Sequence, residues 1–367
     1  MSLSKYPVNL ERITFAHPST HLVDSDPAPH WRNRLRRRYR PAGDIAITCL
    51  IRGATCRAAQ IQREFGVKVV VADLAEENMV RRAAEGADVL INTAHADFPT
   101  AARAILDGLK TRYERTGRKS VFIHTSGTGA LTDDASGQFA SDKIYQDIDC
   151  ADIGAIPTNY VHRETDTMIS EASVEGYIQG YVIMPPLIYG RGTGPFSRTS
   201  VQIPALIRAA LKLGQSIHVG PGLSLWNGVH VQDLVDLYMM LLEDALTGHP
   251  KAPTGLECFY FCATDTYSWR QLAGELGRCL HARGALKMPH PRALLPEQEL
   301  EVLGTWSRFA YGSNSRSKAG KAFTLGWSPK HHTTGIFETI DAEYNAVVQE
   351  GLNGHPKVHE INDTFNK

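Results

Sequence analysis

Residues 45–92 read IAITCLIRGATCRAAQIQREFGVKVVVADLAEENMVRRAAEGADVLIN, and this stretch decides the fold. Residues 45–51 (IAITCLI) are a short run of apolar and β-branched residues closed by Arg52-Gly53. Residues 58–65 carry helical spacing, and residues 67–72 (VKVVVA) return to strand character before the turn at Asp73-Leu74. Helical spacing follows over residues 76–85, Gly86 closes it, and residues 88–92 (DVLIN) supply the next strand. Apolar strands that alternate with helices need a crossover between each pair, so they form a parallel sheet buried on both faces.

Outward from this stretch the same alternation continues, with helical spacing at residues 100–113, a strand at 120–124 (SVFIH), a helix at 165–172 and a strand at 177–184 (YIQGYVIM). The expected class is α/β with a doubly wound parallel sheet. Ligands of such sheets lie off the carboxyl ends of the strands, which singles out Arg52, Asp73, Thr93, Ser126 and Pro185. Beyond Gly190 the alternation breaks into a loop with Gly192, Gly194 and Pro195, then helices over 201–213 and 233–246. Short strands and helices follow from Phe259. We expect residues 1–190 to form the first domain, residues 191–350 to form mainly a smaller α/β substrate lobe with helices returning to the core, and residues 351–367 to be a polar tail.

Composition narrows the partners. The 367 residues are 43% hydrophobic and 21% charged, enough apolar material for a sizeable core. Lys plus Arg balances Asp plus Glu at 39 each, so there is no global field for nucleic acid or an acidic membrane, and a small-molecule substrate is expected. No apolar run approaches a membrane span of about 20 residues, and residues 1–12 lack the apolar core of a secretory signal, so a cytoplasmic location is expected. The six cysteines lack the spacing of a zinc site, so no metal is expected.

Several segments, taken in order, resemble the extended short-chain dehydrogenases, the group of sugar-nucleotide epimerases and dehydratases, many reductases and NmrA-like relatives. They are Asn92-Thr93-Ala94, His124-Thr125-Ser126-Gly127-Thr128-Gly129 and Pro185-Pro186-Leu187-Ile188-Tyr189-Gly190. Two more follow, Asn227-Gly228-Val229-His230-Val231-Gln232-Asp233-Leu234 and Leu325-Gly326-Trp327-Ser328-Pro329-Lys330. The wording is most similar to a fungal group of NAD(P)-binding proteins. The resemblance implies a Rossmann-like sheet, with Asp73, Leu74, Thr93, Ala94, Pro185 and Pro186 along a nicotinamide dinucleotide. It also implies Ser126 and Thr128 against the substrate oxygen, and His230 and Asp233 capping a helix. Arg52 at the end of its strand could pair with a 2′-phosphate, which tilts the cofactor to NADP with NAD as the alternative. Phe196, Arg198, Trp226, Asn227 and His230 would shape the substrate side. A monomer or homodimer is expected.

Two departures stand out. The family opens with a strand and a glycine-rich turn, because phosphate approaches backbone only where no Cβ intervenes. Here residues 10–15 (LERITF) suit the strand, yet no glycine precedes Gly43, and six arginines crowd residues 32–40. Residues 16–43 could be an arginine-rich nucleic-acid segment, a solvated or disordered surface, or shifted sequence in place of the usual turn and helix. The family's Y-x-x-x-K dyad is also missing. Counted back from Pro185, the tyrosine position falls near His162 and the lysine position near Asp166. His162 could shuttle a proton, although a carboxylate cannot replace the lysine's charge. Two functions stay open: an NAD(P)-dependent oxidoreductase or epimerase/dehydratase-like enzyme on a small carbonyl or hydroxyl compound of fungal secondary metabolism, and a non-catalytic NmrA-like dinucleotide sensor.

Overall fold

The computed structural model describes residues 12–17, 46–52, 55–194, 198–331 and 335–351. In chain order the main elements are β1 Arg12–His17, β2 Ala46–Ile51, α1 Thr55–Phe65, β3 Lys68–Val71, α2 Glu77–Glu85, β4 Val89–Asn92, α3 Pro99–Thr116, β5 Ser120–Thr125, α4 Arg163–Glu175 and β6 Ile178–Met184. They continue with β7 Leu187–Tyr189, α5 Gln202–Leu213, β8 Leu225–His230, α6 Val231–Ala245, β9 Phe259–Phe261, β10 Asp265–Ser268, α7 Trp269–Ala282 and α8 Ile340–Glu350. The doubly wound α/β fold expected from sequence is present.

The main sheet has seven strands in the order β9-β6-β5-β4-β1-β2-β3, every neighbouring pair parallel. The chain winds from β1 outward through β2 and β3, then resumes on the other side with β4, so the switch point lies between β1 and β4. There the crossovers leave on opposite faces and open a crevice at the carboxyl edge. β1 lies two residues later than the 10–15 reading, with Ile13–Ala16 registered on Val89–Asn92 and Arg12–His17 on Ala46–Ile51. The rest of the anomalous stretch, residues 18–43, lies outside the described residues.

Burial follows the topology. Every residue of β4 and β5 is buried, whereas the edge strand β3 is partly exposed. Proline begins α3, where its missing N–H costs nothing, and Gly117 ends that helix in the left-handed conformation, at φ 67°. Phe259–Phe261, read from sequence among the short elements after the break, is the edge strand of this main sheet, paired on Val182–Met184.

A second, three-stranded sheet, in the order β10-β8-β7, builds on a separate apolar cluster that includes Leu187, Ile203, Ile207, Trp226, Trp269 and Leu272. The chain enters it directly after Pro185-Pro186, so the two cores meet beside the carboxyl ends of β5 and β6. Among the described residues no helix is long and apolar enough to cross a membrane.

Candidate active site at the carboxyl edge

After β5 the chain stays extended and zipped to its neighbour. The Ser126 N–H donates to Ile183 O at 2.8 Å and the Thr128 N–H to Pro185 O at 2.9 Å. The ladder stops at Pro185-Pro186, because proline offers no N–H. Ser126 is buried, and its Oγ donates to Asp166 Oδ2 at 2.8 Å. Asp166 sits in the first turn of α4 with the Arg163 guanidinium 3.6 Å from the same oxygen. Burial pushes the Asp166 carboxyl up to about 6, against the pull of His162, Arg163 and the Ser126 hydroxyl. Its Oδ1 has no hydrogen-bond partner.

His162 precedes α4 in the left-handed conformation, at φ 69°. This is uncommon for a residue with a Cβ and marks a constrained position. One carboxylate holds it: the His162 N–H donates to Asp97 Oδ1 at 2.5 Å, and the ring Nδ1 lies 2.8 Å from Asp97 Oδ2. Burial lowers the imidazole's basicity, but contact with Asp97 outweighs it and leaves the pKa raised. Burial likewise raises Asp97, and the His162 contacts overcome that and hold it below the usual carboxylate range. Beneath them His124, driven by burial to about 3, stays neutral and accepts from Asn92 Nδ2 at 3.1 Å.

The His162 ring lies against glycine backbone. A Cβ on Gly127 would stand 2.9 Å from Nε2, and one on Gly129 3.2 Å from it. Gly127 is extended at φ −171°, so space rather than conformation requires glycine there.

Ser126, Thr128, His162, Pro185, Pro186, Arg198 and Trp226 line one open cleft of about 230 Å³. The sequence grouping is therefore brought together in its catalytic half and divided in its substrate half. Asn227 does not line the cleft: its side chain donates to Asp265 O and Thr266 Oγ1 and accepts from the Ser317 N–H, joining strands. Nor does His230, which caps α6 by accepting from the Gln232 N–H and stacks on His331 at 3.6 Å. Phe196 lies outside the described residues.

His230, Asp233 and His331 also bring possible metal-ligand atoms within 4.8 Å of one another. The nearly parallel rings do not aim their lone pairs at a common point, and Asp233 already accepts from the Lys330 and His331 N–H groups. The cluster is a helix cap tied to a distant turn.

At the far end of the edge Arg52 follows β2 and Asp73 follows β3, 3.9 Å apart and half exposed. Leu74 packs on the core, Thr93 is partly buried, and Ala94 is buried with its N–H on Asn92 Oδ1 at 3.1 Å. A cation after β2 and small residues after β4 fit a dinucleotide lying across the switch point.

Sequence reasoning missed Asp97, quoted Asn92 and His124 within segments without giving them a role, and marked Asp166 only as a lost lysine. No spacing rule links Asp97 to His162, 65 residues away. Asp166 did carry a signal, a carboxylate four residues after a histidine at the start of a helix.

No family model matches the chain. It is 25% identical over 301 residues to the oxidase ucsJ of an Acremonium species, covering 78% of this chain and 86% of that one. The UDP-glucose 4-epimerase of Thermotoga maritima, solved with UDP-glucose, superposes with TM-score 0.60 at 14% identity, covering 92% and 99% of the two chains. A double mutant of the dTDP-glucose 4,6-dehydratase DesIV of Streptomyces venezuelae, solved with NAD, gives TM-score 0.58 at 15% identity, over 91% and 97%. The fold is the Rossmann-like fold of these epimerases and dehydratases.

Proposed function

We propose that the chain is a nicotinamide-dinucleotide-dependent oxidoreductase, epimerase- or dehydratase-like in build, that acts on a small carbonyl or hydroxyl compound and prefers NADP. The observation that carries this reading is the Asp97–His162 pair beside the buried Ser126 at the edge of the sheet. The likeness to an oxidase and to a dehydratase solved with NAD supports it.

His162 occupies the position at which the resemblance expects an acidic tyrosine. An imidazole held by a carboxylate is oriented and stabilised as its cation, so Nε2 can give a proton to a carbonyl oxygen or take one from a hydroxyl. Ser126 and Thr128 orient that oxygen. Ionised Asp166 accepts the Ser126 hydroxyl hydrogen bond, whereas protonated Asp166 donates instead and frees the Ser126 O–H for the substrate. Arg52, Asp73, Leu74, Thr93, Ala94, Pro185 and Pro186 would hold the dinucleotide, which when bound supplies or accepts the hydride.

The test is a titration of the full chain with NADPH and NADH, followed by NADPH oxidation against a carbonyl panel. NADPH should bind the more tightly, and Arg52→Ala should weaken NADPH by about tenfold while leaving NADH unchanged. Ser126→Ala and His162→Ala should each cut turnover by about 10²-fold or more. Absence of affinity for either dinucleotide rejects the reading. A second reading, the non-catalytic sensor, is favoured by one feature: a carboxylate in the lysine position holds the Ser126 proton. NADPH binding without turnover of any panel member would identify it.

A further inference from the structure

We infer that the cleft takes an uncharged, largely hydrocarbon carbonyl or alcohol, in preference to a nucleoside diphosphate sugar. The inference rests on the reading of this cleft as the substrate site, and it goes beyond that reading by naming the substrate class.

Charge is the first argument. A pyrophosphate carries at least two negative charges and is recognised by several cationic or charge-assisted donors at once. Among the described residues lining the cleft, Arg198 and His162 are the basic ones. Arg198 donates its Nε–H to the neutral Gly194 O at 2.6 Å, which leaves its charge unmatched. His162 is already matched by Asp97, so among those residues one cation faces a charge of at least two. No lysine lines the cleft among those residues. A nucleotide sugar would surrender its hydration there for little in return.

The wall supplies the second argument. Leu187, Val201, Trp226 and Phe309 face the same space as Ser126 and His162. Apolar walls with a few placed polar groups bind ligands mainly by removing hydrocarbon from water.

The third argument is an unmet need inside that wall. Trp226 is 4% exposed and Thr128 1%, both line the cleft, and neither Trp226 Nε1 nor Thr128 Oγ1 has a hydrogen-bond partner. Unpartnered buried polar atoms are rare because each forfeits its hydration. An indole N–H can only donate, so what completes it is an acceptor such as a carbonyl, hydroxyl or ether oxygen, and the charge balance of the cleft favours a neutral one. The remaining surface of such a ligand would be hydrocarbon.

The full chain, saturated with NADPH, is titrated calorimetrically with cyclohexanone, β-tetralone, UDP-glucose and dTDP-glucose. β-Tetralone should bind about tenfold more tightly than cyclohexanone, because its second ring buries more apolar surface. Both nucleotide sugars should bind more weakly than β-tetralone. Trp226→Phe keeps an aromatic ring but removes the N–H, and should weaken β-tetralone about fivefold while leaving the melting temperature unchanged. A nucleotide sugar that binds more tightly than β-tetralone, no gain from the second ring, or no binding of either ketone overturns the inference. The ring series decides even if the Trp226 variant misfolds. NADPH binding, measured separately, tells this failure from failure of the cofactor reading.

Discussion

At the scale of single residues, the chemistry turns on a contact invisible in the sequence. Counting back from Pro185 reaches His162, but its hold on a proton comes from Asp97, which is set beside it only when the loop after β4 meets the start of α4. Because the pair raises the imidazole pKa above its ordinary 6.5, carbonyl reduction should hold its rate at acid pH and decline as pH rises through the raised value. Asp97→Asn removes the charge and leaves burial, which acts in the opposite direction, so the declining limb should move to lower pH. We expect kcat/KM to fall by about 10- to 100-fold at pH 8 and by less than about threefold at pH 5.5. The sign for stability agrees. A raised histidine pKa stabilises the fold fully below its unfolded value and loses that contribution as pH climbs through the folded one. Superimposable pH profiles for the variant and the parent would remove His162 from its role.

Elements were far more legible than contacts, because strand and helix periods are local properties of the chain. Residues 120–124 and 177–184 were read as strands and match β5 and β6 closely, since buried parallel strands are written as near-continuous apolar runs. What the period cannot say is which strand lies beside which, so the place of Phe259–Phe261 at the edge of the main sheet was missed. The segment after β5 shows how an element sets chemistry. The sequence marks Gly127 only as part of the 124–129 segment, yet its importance lies in passing under His162 Nε2. Gly127→Ala should fold, because φ −171° suits alanine, but its Cβ would stand 2.9 Å from Nε2 and displace the ring. Turnover should drop by about 10²-fold with a stability change within about 1 kcal/mol. Gly190→Ala is the contrasting case: φ is 85° and the Cβ would meet His230 Nε2 at 2.2 Å, so that variant should lose about 3 kcal/mol or more. Urea melts and steady-state rates of the two variants separate a crowded site from a broken fold. Equal losses of stability would refute the distinction.

At the scale of the molecule, late segments of the chain must be fixed to the main core, and buried carboxylates provide long-range ties. Asp233, at the start of α6, is 1% exposed and accepts from the N–H groups of Lys330 and His331 and from His331 Nδ1, nearly 100 residues away. Trp327 Nε1 donates to its backbone carbonyl at 2.8 Å. Asp147 does the same elsewhere, its carboxylate accepting from the N–H groups of Phe261 and Lys321. Asp233, Trp327 and Lys330 stand in the sequence segments Asn227–Leu234 and Leu325–Lys330, but His331 lies outside them and one sequence cannot show that two motifs meet. Asp233→Ala would leave buried backbone donors without an acceptor and remove the anchor of the 325–331 turn, at a cost on the order of 3 kcal/mol. The variant should keep its far-ultraviolet spectrum and its dinucleotide affinity, since α6 and the switch point are built independently, while the urea midpoint falls and the 325–331 amides lose hydrogen-exchange protection. A shift of less than about 1 kcal/mol, with those amides still protected, would mean that Trp327 and the surrounding packing hold the turn without the carboxylate.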